Sequence, residues 1–250
     1  MDSPMRGYVV HQDDLTMMRV PKVNASFRVP INRSVGCQNL LQRVYYYGQG
    51  ASEVMRNDDS EDILYVASGR GTVRINGNEH ALEPMMGAFV PPDSDYQIVN
   101  PHDDTLVIIS VLTPQPGYPP TQQMDAALRA DGMLTVREAD QEALPAGNRT
   151  FKYMVNHRVG CRNATQFIGF IPTSKAPVHT HTYEEVIYIV DGEGVIHVGG
   201  QDIPVRKGSS IYLPPLLPHC IENPHEQPIR LLGVFCPAGD PGSKAYEEKA

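Results

Sequence analysis

The chain has 250 residues, of which 41% are hydrophobic, with 22 prolines, 21 glycines, no tryptophan and a formal net charge of −8. That is apolar material for one large domain or two ordinary ones. The acidic balance gives nucleic acid no basic footprint, and no apolar run approaches the length of a membrane span. The start MDSPMRGYVVHQDD lacks a signal-peptide core, and the four cysteines show no paired spacing. Both features fit a reducing, bacterial-type cytoplasm.

Taken in order, the chain reads as short β-branched runs punctuated by proline and glycine, the pattern of many strands and turns. The stretch from Phe27 to Asn39 returns from Phe151 to Asn163 at an offset of 124. Past one inserted residue the offset is 123, which pairs Glu61, Tyr65, Gly69, Gly71 and Gly77 with Glu184, Tyr188, Gly192, Gly194 and Gly200. Repetition at this length means a duplicated domain. Between the copies, Thr113 to Pro120 is too proline-rich for a strand interior or helix. Thr121 is placed to cap a short helix to about Leu128 or Arg129, and Asp140 to Leu144 reads as a further helical turn. The expected division is an N-terminal half at 1–118, a linker at 119–148, a C-terminal half at 149–240 and a loose polar tail at 241–250. In the alternating runs Thr72 to Ile75 and Val195 to Val198, Arg74 and His197 hold equivalent places. Both are expected to face outward, so His197 is a surface histidine and not a ligand.

His179 and His181 alternate, which places both imidazoles on one face of a strand. Glu185 follows four residues later, and His219 comes after the corner Leu213-Pro214-Pro215-Leu216-Leu217-Pro218. His-x-His-x3-Glu is expected by chance roughly 0.02 times in such a chain. Three imidazoles and a carboxylate suit a divalent metal: iron, manganese, nickel, copper or zinc. The thiols carry no such signal. Cys37 and Cys161 repeat in Val-Gly-Cys-x-Asn as structural residues, and Cys220, next to His219, points away from the ligand face.

The spacing resembles the two motifs of the cupin superfamily. His179, His181, Glu185 and Gly192 match the first. Gly208, Pro214, His219 and Asn223 match the second, with Leu216 where the family usually has glycine. The resemblance implies an all-β bicupin, two tandem double-stranded β-helix (jelly-roll) barrels joined by a short helical linker. They would pack like the protomers of a one-barrel dimer, with the metal inside the second barrel on His179, His181, Glu185 and His219. In the first half these places hold Arg56, Asp58, Asp62 and Tyr96. Arginine has no lone pair to give a metal. The first barrel is therefore expected to be a metal-free copy or, failing that, a small-anion site built on Arg56 and Tyr96.

The same resemblance implies a metal-dependent enzyme. The leading expectation is an oxidoreductase similar to quercetin-dioxygenase-like cupins, acting on a small enolic or aromatic substrate with Fe2+ or Mn2+; Ni2+, Cu2+ and Zn2+ fit the same donors. The alternatives are a non-redox isomerase, decarboxylase or lyase, and a non-catalytic small-molecule-binding cupin. Glu185, Tyr183 and Arg230 are the candidate catalytic groups. Tyr212 is a further second-sphere group, and Phe167, Phe170, Ile187 and Leu232 are the expected apolar wall. Oxalate decarboxylases resemble the chain in plan but are longer and usually keep ligands in both halves. Ureidoglycine aminohydrolases differ in the first motif, so both rank lower. The expected partner is a small-molecule substrate, with neither nucleic acid nor membrane, and pairing of two chains into a homodimer is compatible with the plan.

Overall fold

The structure, a computed structural model, describes residues 6–21, 23–121, 124, 134–243 and 245–246. It is all-β: among the described residues the only helical elements are four single 3-10 turns. Each half builds one seven-stranded and one smaller sheet. The seven-stranded sheet of the first half runs Thr135–Arg137, Met86–Val90, Glu61–Ser68, Leu106–Thr113, Leu41–Tyr47, Ala25–Ile31 and Met18–Arg19. That of the second runs Tyr8–His11, Ser209–Leu213, Glu184–Asp191, Ile229–Cys236, Thr165–Ile171, Arg149–Tyr153 and Leu144–Ala146. The order is the same in both, as the repeat requires.

The outermost strand of each large sheet comes from outside its own half. Tyr8–His11 pairs with Ser209–Tyr212, and Thr135–Arg137 pairs with Met86–Ala88. Strand pairing therefore crosses the linear division at 118 and 148. Each exchanged strand caps a sheet edge that would otherwise offer unpaired N–H and C=O groups to another chain.

Period-two alternation sorts the core. In Ile229–Cys236, Ile229, Leu231 and Phe235 face the interior of the second barrel, whereas Leu232, Val234 and Cys236 join the core that runs through the first barrel and the seam. Glu184 and Glu185, both buried, divide in the same way. Glu184 reaches into the other half, where it accepts from Gln38 N (2.7 Å), Asn39 N (2.8 Å) and Asn39 Nδ2 (2.9 Å), and from its own half it accepts from the Tyr212 hydroxyl (2.9 Å). Its repeat mate Glu61 accepts from Arg162 N (3.1 Å), Asn163 N (3.1 Å) and Asn163 Nδ2 (3.0 Å). The seam is thus built twice from one design, related by a pseudo-twofold axis.

Two local expectations change, and a third is not tested. The turn around 140 is the 3-10 helix Glu138–Asp140, and by Leu144 the chain is in a strand whose backbone groups bond Arg149–Tyr153 instead of each other. In the tail, Ala245–Tyr246 pairs with His179–Thr180, because the short His179 strand has an open edge to offer. Most of the helix expected after Thr121 lies outside the described residues. Leu216 shows what the missing glycine means: it sits at φ +63°, the left-handed region that glycine enters freely, and its N–H donates to His181 O at 2.6 Å.

Candidate metal centre

His179 and His219 face each other across paired strands, Cα opposite Cα. The ring centroids of His179, His181 and His219 form a near-equilateral triangle of 4.9, 4.6 and 4.9 Å, and one donor nitrogen from each lies within 4.8 Å of the others. All three residues are buried. The His179 Nδ1–H donates to Pro177 O (3.0 Å) and the His219 Nδ1–H to Leu217 O (2.8 Å). A carbonyl can only accept, so each bond fixes the tautomer and leaves the Nε2 lone pair for the centre, the usual outer arrangement of metal-ligating histidines. A Glu185 oxygen lies 3.4 Å from His181 Nε2. Neutral imidazoles held in this way, with one carboxylate on the rim, fit a divalent transition metal.

Tyr183 packs its ring against His181 (centroids 4.6 Å, interplanar 13°) and against Phe235 on its other face (4.1 Å, 19°). Burial first, then the Glu185 charge, holds its phenol well above the ordinary value, so it stays a hydrogen-bond donor. The cavity beside the histidines measures about 80 Å³ and is walled by Phe151, Phe167, Phe170, Ile187, Ile221 and Leu231. Of the four expected wall residues, Phe167, Phe170 and Ile187 are there. Leu232 is not, and its neighbour Leu231 takes the place.

Two other expected second-sphere groups belong elsewhere. Arg230, offset from Leu231 by one residue, projects to the seam; it forms an ion pair with Glu138, contacts the Tyr65 hydroxyl (3.4 Å) and lies over the Phe170 ring. Tyr212 serves Glu184. Both share the strand parity of residues that face the seam, Tyr212 between Ile211 and Leu213 and Arg230 with Leu232 and Val234, whereas the cavity is lined from the opposite parity. Arg230→Met is therefore expected to leave metal content unchanged and to lower unfolding free energy by about 3 kcal/mol, since Glu138 keeps a buried charge without its partner. Metal analysis and denaturant unfolding of the same preparation read both effects. Arg149, which lines the cavity, was missed. Its signal in the sequence was that, like the histidines, it occurs in one copy only: the repeat places Ala25 opposite it.

His197 is not a ligand; its two ring nitrogens bond Asp202 (2.6 Å) and Glu222 (2.9 Å). All four cysteines are buried and none forms a disulfide. Burial pushes the Cys37, Cys161 and Cys220 thiols up, away from the reactive thiolate.

In the first barrel, Arg56 and Asp62, at the places of His179 and Glu185, are paired with neighbouring side chains. Arg56 is exposed at the surface and bound to Asp58, Asp93 and Asp95, which leaves little positive field for an anion. Asp62, in the place of Glu185, accepts from the Ser110 hydroxyl (2.6 Å) and the Tyr96 hydroxyl (3.1 Å). Its carboxyl is pushed up to about 6, by burial above all. The folded state therefore holds this proton more tightly than the unfolded chain. Between the ordinary carboxylate range and about pH 6 stability falls as pH rises, and above that the loss is complete. The cost is on the order of 3 kcal/mol. Asp62→Asn cannot ionise, so the difference in unfolding free energy, wild type minus variant, should fall by about that amount between pH 4 and pH 8. A pH-independent difference would show that Asp62 does not titrate in this window.

The cupin-domain model matches residues 43–112 and 167–235. The chain belongs to the cupin family. The two matched segments fall on the two barrels, so it is a bicupin. Over 204 residues it is 25% identical to (S)-ureidoglycine aminohydrolase of Escherichia coli, covering 80% of this chain and 71% of that protein. The aminohydrolase plan, set aside on its first motif, is thus matched along most of this bicupin. Oxalate-binding protein of Thermotoga maritima is 36% identical over 65 residues, 26% of this chain and 54% of that protein; the bicupin spans about half the length of that relative. Among solved structures, a putative glyoxylate-induced protein from Pseudomonas aeruginosa superposes with a TM-score of 0.77 at 17% identity, covering 100% of this chain and 92% of that one, a likeness of fold.

Proposed function

We propose that this bicupin is a metal-dependent enzyme whose second barrel acts, without redox chemistry, on a small substrate carrying two adjacent oxygen or nitrogen donors. The observation that carries this reading is the cavity at the three histidines. At about 80 Å³ it has room for about three water-sized groups, which suits a two- or three-carbon acid. Ureidoglycine and oxalate, the molecules named for two relatives, are of that size and donor pattern.

His179, His181 and His219 would hold the metal, with Glu185 beside them. When bound, it supplies a Lewis-acid centre for the adjacent donors of the substrate. The residues of the chain do the rest. The carbonyls of Pro177 and Leu217 keep two imidazoles in the ligating tautomer. Glu185, on the rim of the triangle, is placed to take a proton from the substrate. Tyr183 offers a protonated phenol to a developing negative charge. The phenylalanine walls exclude water, which strengthens both interactions.

A second reading, the dioxygenase, is favoured by the aromatic character of those walls, provided that the substrate is a small enol. One experiment separates the two. The metal-loaded protein is given ureidoglycine, oxalate and short 2-oxo acids, and ammonia, carbon dioxide and dissolved oxygen are followed together. Ammonia or carbon dioxide release without oxygen uptake supports the first reading, and oxygen uptake matched to substrate loss replaces it with the second. Binding without turnover of any of them would overturn both in favour of a binding protein.

A further inference from the structure

The three histidines are each no more than 9% exposed, so ready access to them calls for a part that moves. The segment after the last core strand, Ile229–Cys236, comes back over this end of the barrel. Between Pro237 and Ser243 every residue is exposed except Pro241, and Pro241 forms part of the cavity wall. The backbone at Gly239 runs close to the ring stack that ends on His181: a Cβ added there would lie 3.3 Å from Phe235 Cε2 and 3.8 Å from Tyr183 Cε1. Farther on, Ala245–Tyr246 pairs with His179–Thr180, with Tyr246 opposite the ligand His179.

Among the described residues, few side chains hold this segment down. The Tyr153 hydroxyl donates to Asp240 Oδ1 (3.1 Å), which also accepts from Gly242 N (2.7 Å). Burial first, then this bond, pushes the Tyr153 phenol up to about 12, so it donates at neutral pH. The Thr165 hydroxyl donates to Gly239 O (3.1 Å) and accepts from Gly239 N (3.2 Å). The repeat supplies a contrast. At the offset of 123, Pro114 and Gln115 stand opposite Pro237 and Ala238; the first two are buried and the second two exposed. Gln115 ties its segment down by donating to Cys37 O (2.7 Å) and accepting from Arg33 N (3.1 Å), which alanine cannot do. The tied copy crosses the mouth of the first barrel, beside Arg56, Asp58 and Tyr96, and the loosely held copy lies over the histidines. Segments with few buried contacts open at the least cost, and lids are drawn from them.

We infer that residues 237–243 and 245–246 form a lid on the metal cavity, and that the bond from Tyr153 to Asp240 is its latch. Closed, the lid seats Pro241 in the cavity wall and extends the ligand strand; open, it lets metal and substrate pass. The inference rests on the metal centre and on no particular reaction.

Zinc is the probe. Metal-free wild type, Tyr153→Phe and Asp240→Ala are mixed with zinc, and the zinc-loaded forms with excess chromophoric chelator, in a stopped-flow instrument that reads uptake and release separately. A lid that covers the empty and the loaded site alike scales both rates by its open fraction and leaves their ratio unchanged. Loss of one hydrogen bond from the closed state should therefore speed uptake and release together by about two- to tenfold, with zinc affinity unchanged within about twofold. Tyr153→Phe keeps the ring and its edge contact with Phe151, so it carries the test if Asp240→Ala does not fold. Rates equal to wild type in both variants would overturn the lid. So would faster release at unchanged uptake, because the affinity lost in that case marks a support of the ligands. A wild type that takes up no zinc would overturn the metal centre, and the lid with it.

Discussion

His219→Ala is expected to weaken metal binding by more than about a hundredfold, because it removes one of three donors that the fold places within 4.8 Å of one another. The fold itself should survive. The strand His219–Asn223 is held through its backbone by Glu193–Val198 and by the short His179–Thr180 strand, and neither ladder needs the imidazole. Competition with a chromophoric chelator measures the affinity, and circular dichroism of the metal-free protein checks the fold. An affinity within threefold of wild type would mean that the three histidines do not act as one site. An unfolded variant would leave the question to His181→Ala, whose residue lies outside the regular strands and bears less on the ladder.

The second large effect belongs to the seam. Glu184→Ala strands four donors that now converge on one buried carboxylate: two backbone N–H groups, the Asn39 amide and the Tyr212 hydroxyl. Hydrogen bonds to a charged group are worth more than neutral ones, and each buried donor left alone carries its own penalty. The expected loss of unfolding free energy is about 4 kcal/mol. Glu184→Gln keeps one accepting oxygen but turns an NH2 group toward donors, so about half of that loss is expected. Glu61→Ala should behave alike, since Glu61 makes the mirror contacts to Arg162 and Asn163. Denaturant unfolding reads all three. A loss below 1 kcal/mol for both alanine variants would mean that the two barrels do not depend on these carboxylates for their union.

The legible part of this chain was what repeats or breaks a repeat. The pairing of Glu61 with Glu184 marked two halves, and both turn out to bind the opposite half by the same contacts. The break between them, histidines in one copy against Arg56, Asp58 and Tyr96 in the other, assigned the candidate metal centre to the second half. Arg149 against Ala25 was a break of the same kind and went unread.

Less legible was which face of a strand each residue takes. Within a core strand between two apolar layers, both parities are hydrophobic, so Leu231 and Leu232 look alike in sequence although one walls the cavity and the other the seam. Arg230 and Tyr212 followed Leu232 to the seam for that reason. Exchange of the strands Tyr8–His11 and Thr135–Arg137 could not be read either, because a strand pattern says nothing of which sheet edge receives it.

The most direct test of the claim that the second barrel alone carries the metal is elemental analysis of the wild-type chain, purified without chelator or nickel resin. The account predicts about one first-row transition-metal ion per chain, lost in His181→Ala and unchanged in Arg56→Ala. Two ions per chain, or an ion that survives His181→Ala, would contradict it, as would a chain that takes up no metal even after reconstitution.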